Sequence, residues 1–145
     1  MLKIVDLFCG AGGESAGIEG AAQKMGEKLN LSAVNHWETA IATHKLNFPD
    51  AVHYCESIQT LNPLDVYNAK DRINLLWASP ECTHHSNARG GRPCSDQSRA
   101  SAWLILKWLS ELYCRRVILE NVPEFINWGP LGSDGRPHKN KGRKA

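Results

Sequence analysis

The stretch Lys3-Ile-Val-Asp-Leu-Phe-Cys-Gly-Ala-Gly-Gly13 decides the fold. Lys3–Leu7 (KIVDL) is short, apolar and β-branched, which reads as a buried strand. Glycines follow, and beyond them Ala16, Ile18, Ala21, Ala22 and Met25 recur at helical spacing. The sequence therefore opens strand, Gly-rich turn, helix. The same alternation continues downstream, with strands expected at Leu31–Asn35, Ala51–Cys55, Ile73–Ala78 and Arg116–Glu120. Helices are expected over Thr39–Asn47 and Ser98–Tyr113, and a short one within Pro63–Asn68. In the longest helix Trp103, Leu104, Leu106, Trp108, Leu109 and Leu112 form a broad apolar face. Strands alternating with helices imply right-handed crossovers and a parallel sheet covered on both faces, a three-layer α/β domain. The near-continuous apolar character of KIVDL, INLLWA and RVILE implies burial on both faces.

Composition narrows the function classes. With 145 residues, 42% of them apolar and 22% charged, the chain suits one ordinary domain. No apolar run approaches the roughly 18 residues needed to span a membrane. The start MLKIVDLFCG lacks the small-residue cleavage site of a signal peptide, so a cytoplasmic location is expected. Cys9, Cys55, Cys82, Cys94 and Cys114 are odd in number and form no C-x-x-C pair. That argues against a disulfide framework or a structural zinc site and for reduced thiols, one of them a candidate nucleophile. Net charge is +2, but residues 132–145 alone carry +4, leaving −2 on the rest. The body is thus no basic nucleic-acid surface. The stretch 129–145 reads by composition as a disordered tail or a truncated end whose basic residues could meet phosphate backbone.

In sheets of this kind ligands bind beyond the carboxyl ends of the strands. Three polar clusters fall there: Asp6–Gly13, Ser79–Ser86 and Glu120–Asn121. Glycines at 10, 12 and 13 let backbone approach a ligand closely, and a helix N-terminus suits a carboxylate or phosphate. The turn is not a P-loop, because no Lys-Ser/Thr follows, and Ser15 stands where the last glycine of G-x-G-x-x-G would fall. A plain strand–helix turn is the bland alternative.

Ser79-Pro-Glu-Cys-Thr-His-His-Ser86 sets a cysteine after a buried strand beside two histidines and a glutamate. Read alone, the segment admits a cysteine hydrolase, a zinc site built from Cys82, His84, His85 and Cys94, or an inert loop cysteine. Glu120 at the end of RVILE is either a functional carboxylate or a cap.

Taken together, these clusters resemble the cytosine-C5 DNA methyltransferase family. Asp6–Gly13 matches D-L-F-x-G-x-G-G at every fixed position, and Glu120-Asn121-Val122 matches E-N-V. The nucleophile motif Pro-Cys-Gln-x-x-Ser is matched in part: Cys82 to Ser86 keeps its spacing, Glu81 is inserted before the cysteine, and Thr83 replaces glutamine. This P-E-C-T form resembles a variant of phages and mobile elements. The resemblance implies a Rossmann-like methyltransferase fold with five parallel strands in the order 3-2-1-4-5. It also implies S-adenosyl-L-methionine as cofactor, packed by Phe8 and cradled by Cys9, Gly10, Ala11, Gly12 and Gly13. His36 stands where the family has an acid for the ribose, Trp37 matches the adenine-stacking tryptophan, and Ser57-Ile58 resembles the family's Asp-Ile pair, with Pro80 completing the site. Cys82 is the implied nucleophile. Glu120, expected to be partly buried, is the acid at cytosine N3. Ser86, Arg99 and Asn121 are implied on the substrate side, and no metal is implied.

The implied partner is DNA presenting a flipped cytosine. The resemblance covers residues 1 to about 128 and lacks the family's later arginine motif, target-recognition region and closing segment. A second chain carrying those parts, in a restriction-modification setting, is one expectation. A catalytically inactive relic or accessory subunit, and a tRNA cytosine-C5 methyltransferase, are the alternatives.

Overall fold

The structure, a computed structural model, describes residues 1–81, 96–123 and 125, with the side chains of 96–100 excluded. In chain order its elements are β1 (Leu2–Leu7), α1 (Gly13–Lys24), β2 (Leu29–Val34), α2 (Glu38–Asn47), β3 (Val52–Tyr54) and α3 (Pro63–Val66). There follow β4 (Arg72–Ile73), β5 (Leu75–Ala78), α4 (Asp96–Glu111), β6 (Tyr113–Cys114) and β7 (Val117–Leu119). Among the described residues no helix is long and apolar enough to cross a membrane.

Five strands form one parallel sheet in the order β3-β2-β1-β5-β7. Numbered along the chain within that sheet, this is the expected 3-2-1-4-5. Side chains alternate across it, as a strand period of two requires. Val5, Leu7, Val34, Leu76 and Ala78 face Ile105 and Trp108 of α4, with Leu112 just beyond its end, in the main core. Ile4 and Leu31 face the other way onto Ile18 of α1, and Ala33 meets Ile41 of α2. Helices thus cover both faces, and the expected three layers are present.

Three local expectations need correction. The fourth strand is not one run over Ile73–Ala78. Asn74 donates its backbone N–H to the Lys3 carbonyl (2.8 Å) and accepts the Lys3 N–H on its side-chain oxygen (2.9 Å). That exchange interrupts the strand, and Arg72–Ile73 pairs instead with β6 in a separate two-stranded sheet. The longest helix stops at Glu111 because Tyr113 and Cys114 are taken up by that pairing. Finally, β7 is not buried on both faces: Val117, Ile118 and Leu119 are 44%, 39% and 46% exposed. It is the outermost strand of the five, and an outermost strand has a neighbour on one side only.

The chain divides into two compact units, Met1–Pro80 with Ser101–Glu120, and Glu81–Ala100 with Asn121–Ala145. The first holds the sheet. Of the second, the described part includes a turn in which the Asn121 side chain accepts from Val122 N–H (2.9 Å) and Phe125 N–H donates to the Val122 carbonyl (2.9 Å).

Helix α1 carries two glycines, Gly17 and Gly20, at positions where an added Cβ would meet nothing within 4 Å. Glycine inside a helix costs backbone entropy without a packing return. Gly17→Ala is therefore expected to stabilise the chain by about 0.5–1 kcal/mol, read as a raised midpoint in thermal melting.

Candidate functional site

Because the five strands are parallel, their carboxyl ends share one end of the sheet. Hydrogen bonds tie the segments leaving it. Phe8 N–H (2.9 Å) and Cys9 N–H (3.2 Å) both reach the Val34 carbonyl at the end of β2. Ser79 N–H donates to the Leu7 carbonyl at the end of β1 (3.2 Å), and Glu120 N–H donates to the Ala78 carbonyl at the end of β5 (3.0 Å). The Ser79 hydroxyl also reaches Glu14 Oε1 at the start of α1 (3.4 Å).

The Gly-rich turn is contorted. Gly10 has φ 52° and Gly12 φ 101°, and Phe8 has φ 65°, a left-handed conformation unusual for an aromatic residue. Gly12 is required twice over. A Cβ there would stand 2.2 Å from Phe48 Cε2 and 3.2 Å from His44 Cδ2, on top of the unfavourable φ. Gly12 also precedes the first turn of α1, whose N–H groups lack intrahelical partners. Such a turn can take a ligand's carboxylate on backbone donors, and Ala11 beside it is exposed.

Cys9 is buried at 1% exposure. Burial, helped by the Asp6 charge, pushes its thiol up to about 12, so it carries no thiolate at neutral pH. Beneath the turn Asp6 is fully buried. It accepts the Ser15 hydroxyl on Oδ2 at 2.6 Å, while Oδ1 has no partner. Burial outweighs that hydrogen bond and raises the Asp6 carboxyl to about 7.

After β2, the Asn35 side chain accepts Trp37 N–H (2.9 Å) and sets the start of α2. His36 and Trp37 are both exposed, Trp37 by 61%. So large an open indole at the carboxyl end of the sheet is available for stacking on a planar ligand. After β3, Ser57 opens a turn by accepting Gln59 N–H on its hydroxyl (3.2 Å) and Leu61 N–H on its carbonyl (2.9 Å). Ile58 is buried in the main core, and its carbonyl accepts from Trp108 Nε1 (3.4 Å). Pro80 is buried after β5. Glu120 is exposed, where partial burial was expected; it follows the outermost strand, which packs against a single neighbour. Asn121 belongs to the second unit. Cys82 and Ser86 lie outside the described residues, as does the side chain of Arg99 on α4. The reading of 129–145 as a tail lies outside them too.

The structure thus brings Phe8–Gly13, Asn35–Trp37, Ser79–Pro80 and Glu120 to one end of the sheet. It also shows Ser15, His44, Phe48 and His53, to which the sequence assigned no role. Ser15 Oγ lies 3.0 Å from His44 Nε2, and His44 Nδ1 lies 2.9 Å from His53 Nε2. Two histidines nine positions apart, in a helix and the following strand, give no local signal of contact.

A family model for C-5 cytosine-specific DNA methylases matches residues 2–128. The chain belongs to the C-5 cytosine-specific DNA methylase family. Among curated relatives, the type II methyltransferase M.AgeI of Thalassovita gelatinovora is 31% identical over 126 residues, 83% of this chain and 28% of the relative. M.HgiGI of Herpetosiphon aurantiacus is 33% identical over 100 residues, 68% of this chain and 64% of the relative. Among solved structures, a mutant of Spodoptera frugiperda DNMT2 superposes with a TM-score of 0.62 at 25% identity, over 88% of this chain and 37% of that one. The chain therefore spans less than a third of M.AgeI and just under two thirds of M.HgiGI. S-adenosylmethionine is the cofactor this family implies, and the open turn, the exposed Trp37 and the unpartnered Asp6 oxygen are compatible with it.

Proposed function

We propose that this chain is the cofactor-binding and nucleophile-bearing part of an enzyme that methylates C5 of cytosine in DNA. The observation that carries the reading is the turn Phe8–Gly13, held in left-handed conformations beside an exposed Trp37. Its backbone and the N-terminus of α1 would hold the methionine part of S-adenosylmethionine. Trp37 would stack on adenine, with Pro80 nearby. His36 would hydrogen-bond a ribose hydroxyl, as a neutral donor or acceptor where the family uses a carboxylate. Ser57 follows β3 and would face the adenine side; the burial of Ile58 leaves it as a floor beneath that position.

Bound S-adenosylmethionine supplies an electrophilic methyl group. The protein must make cytosine C5 nucleophilic, because the aromatic ring is not. The Cys82 thiolate adds to C6, forming a sulfur–carbon bond, and ring electrons move toward N3, where Glu120 delivers a proton. C5 is then enamine-like and takes the methyl group. A base removes the C5 proton, the sulfur–carbon bond breaks, the thiolate returns, and N3 gives its proton back to Glu120. The base reaches these groups only once flipped from the duplex. Ser86, Arg99 and Asn121 would hold it or the neighbouring phosphates.

The test is titration calorimetry of S-adenosylmethionine into the chain, with Trp37 emission followed in parallel. Saturable binding with an emission change lost in Trp37→Phe is expected. Binding with unchanged emission would remove Trp37 from the site, and absence of binding at millimolar ligand would contradict a working site in this chain. Deoxycytidine-containing DNA and tRNA, assayed side by side with any chain that completes the enzyme, identify the substrate. Transfer to tRNA alone would replace the DNA reading, and transfer to neither would favour an inactive relic.

A further inference from the structure

Four buried or half-buried polar side chains from four elements form one line: Asp6 of β1, Ser15 of α1, His44 of α2 and His53 of β3. Asp6, Ser15 and His44 have no exposed surface, and His53 is half-buried. With Asp6 ionised, the direction of every bond follows from the proton count. Ser15 has one hydroxyl hydrogen and gives it to Asp6 Oδ2 at 2.6 Å. His44 Nε2, 3.0 Å from Ser15 Oγ, must then carry a hydrogen and donate to it. A neutral His44 accepts on Nδ1, so His53 Nε2, 2.9 Å away, is the donor there. All three donors point inward, toward the carboxylate.

We propose that His53, His44 and Ser15 form a proton relay that neutralises or charges Asp6, beneath the Gly-rich turn, in step with the surrounding pH. A proton from solvent adds to His53 Nδ1 as His53 Nε2 gives its own to His44 Nδ1. His44 Nε2 gives its proton to Ser15 Oγ, and Ser15 gives its original proton to Asp6 Oδ2. One proton enters and one carboxylate is neutralised. Both imidazoles finish neutral, changed from the Nε2–H to the Nδ1–H tautomer. All three hydrogen bonds survive with donors reversed, so both states satisfy the same buried groups apart from Asp6 Oδ1.

The surroundings favour a proton on the acid and not on the rings. Burial, with Glu14 adding to it, raises Asp6 to about 7. Burial and His53 hold His44 down at about 4, and burial and Lys45 lower His53. Cys9, which also faces Asp6, is held protonated. The Phe48 ring, centred 4.7 Å from the His44 ring, closes that side. The consequence for ligands rests on the cofactor assignment made above: a charged Asp6 favours a cationic sulfonium near the turn, and a neutral one does not.

The experiment is nitrogen-15 and carbon-13 NMR of the chain from pH 5.5 to 8.5. His44 and His53 are expected to exchange the Nε2–H for the Nδ1–H pattern as pH falls, with the same midpoint as the Asp6 carboxyl carbon and without becoming doubly protonated. Ser15→Ala should abolish that shared midpoint. Imidazoles that keep the Nε2–H tautomer, or that gain a second proton at the Asp6 midpoint, would overturn the relay. S-adenosylmethionine affinity should fall several-fold through the same midpoint and lose that dependence in Asp6→Asn. Affinity that ignores the midpoint would overturn the control of the turn. The tautomer readout needs no cofactor, so failure to bind S-adenosylmethionine at any pH would count against the cofactor assignment and leave the relay standing on its own spectra.

Discussion

Cys82→Ala is expected to abolish methyl transfer in the complete enzyme, by about 10⁴-fold or more, the scale of losing a covalent nucleophile. The reasoning starts from the sheet. β5 and β7 are hydrogen-bonded neighbours, with Leu76, Trp77 and Ala78 opposite Val117, Ile118 and Leu119. Neighbouring strands lie about 5 Å apart. Glu120 directly follows β7, and Cys82 follows Pro80, which leaves β5. The described cysteines, Cys9, Cys55 and Cys114, are poorly suited. Cys9 is buried with its thiol pushed up to about 12. Cys55 follows β3 at the far side of the sheet, and Cys114 lies on β6 in the small second sheet. An oligonucleotide carrying 5-fluorocytosine blocks the elimination step and should trap the adduct when S-adenosylmethionine and any completing chain are present. An adduct that persists in Cys82→Ala, or that maps to Cys94 by peptide mass, would show that the inserted Glu81 shifts the motif.

The largest effect on stability is expected from Gly12→Ala. A Cβ at 2.2 Å from Phe48 Cε2 cannot coexist with the ring in place, and Phe48 is only 9% exposed. Either the ring moves and leaves a void beside His44, or the start of α1 shifts. Overpacking of this kind costs about 1–3 kcal/mol and the left-handed φ about 1–2 more. A total near 3 kcal/mol, read from urea unfolding, should appear together with weaker S-adenosylmethionine binding. Gly17→Ala, on the same helix with open space around it, is the internal control and should move stability the other way. A loss below about 1 kcal/mol for Gly12→Ala, within the range of unremarkable substitutions, would mean that Phe48 does not hold this position in solution.

The alternating apolar segments, the Gly-rich turn and the end of RVILE determined the layered α/β architecture and the end of the sheet at which a site must lie, and the strand order came with the family resemblance. Those signals are local: a strand period, a helical period and glycines where backbone must turn. The motifs at Asp6–Gly13 and Glu120–Val122 pointed to the family for the same reason, since each is contiguous in sequence. Tertiary structure decided what depends on distant residues meeting. Asn74 divides the fourth strand because Lys3 of β1 is opposite it. Glu120 is exposed because β7 is outermost. Asp6, an ordinary motif residue by sequence, has its carboxyl raised to about 7 by burial, and Ser15, His44 and His53 of three other elements extend from it in one line of hydrogen bonds. Burial and hydrogen-bond partnership are properties of the packed chain, and periodicity, which sets the elements, does not determine which buried polar groups meet.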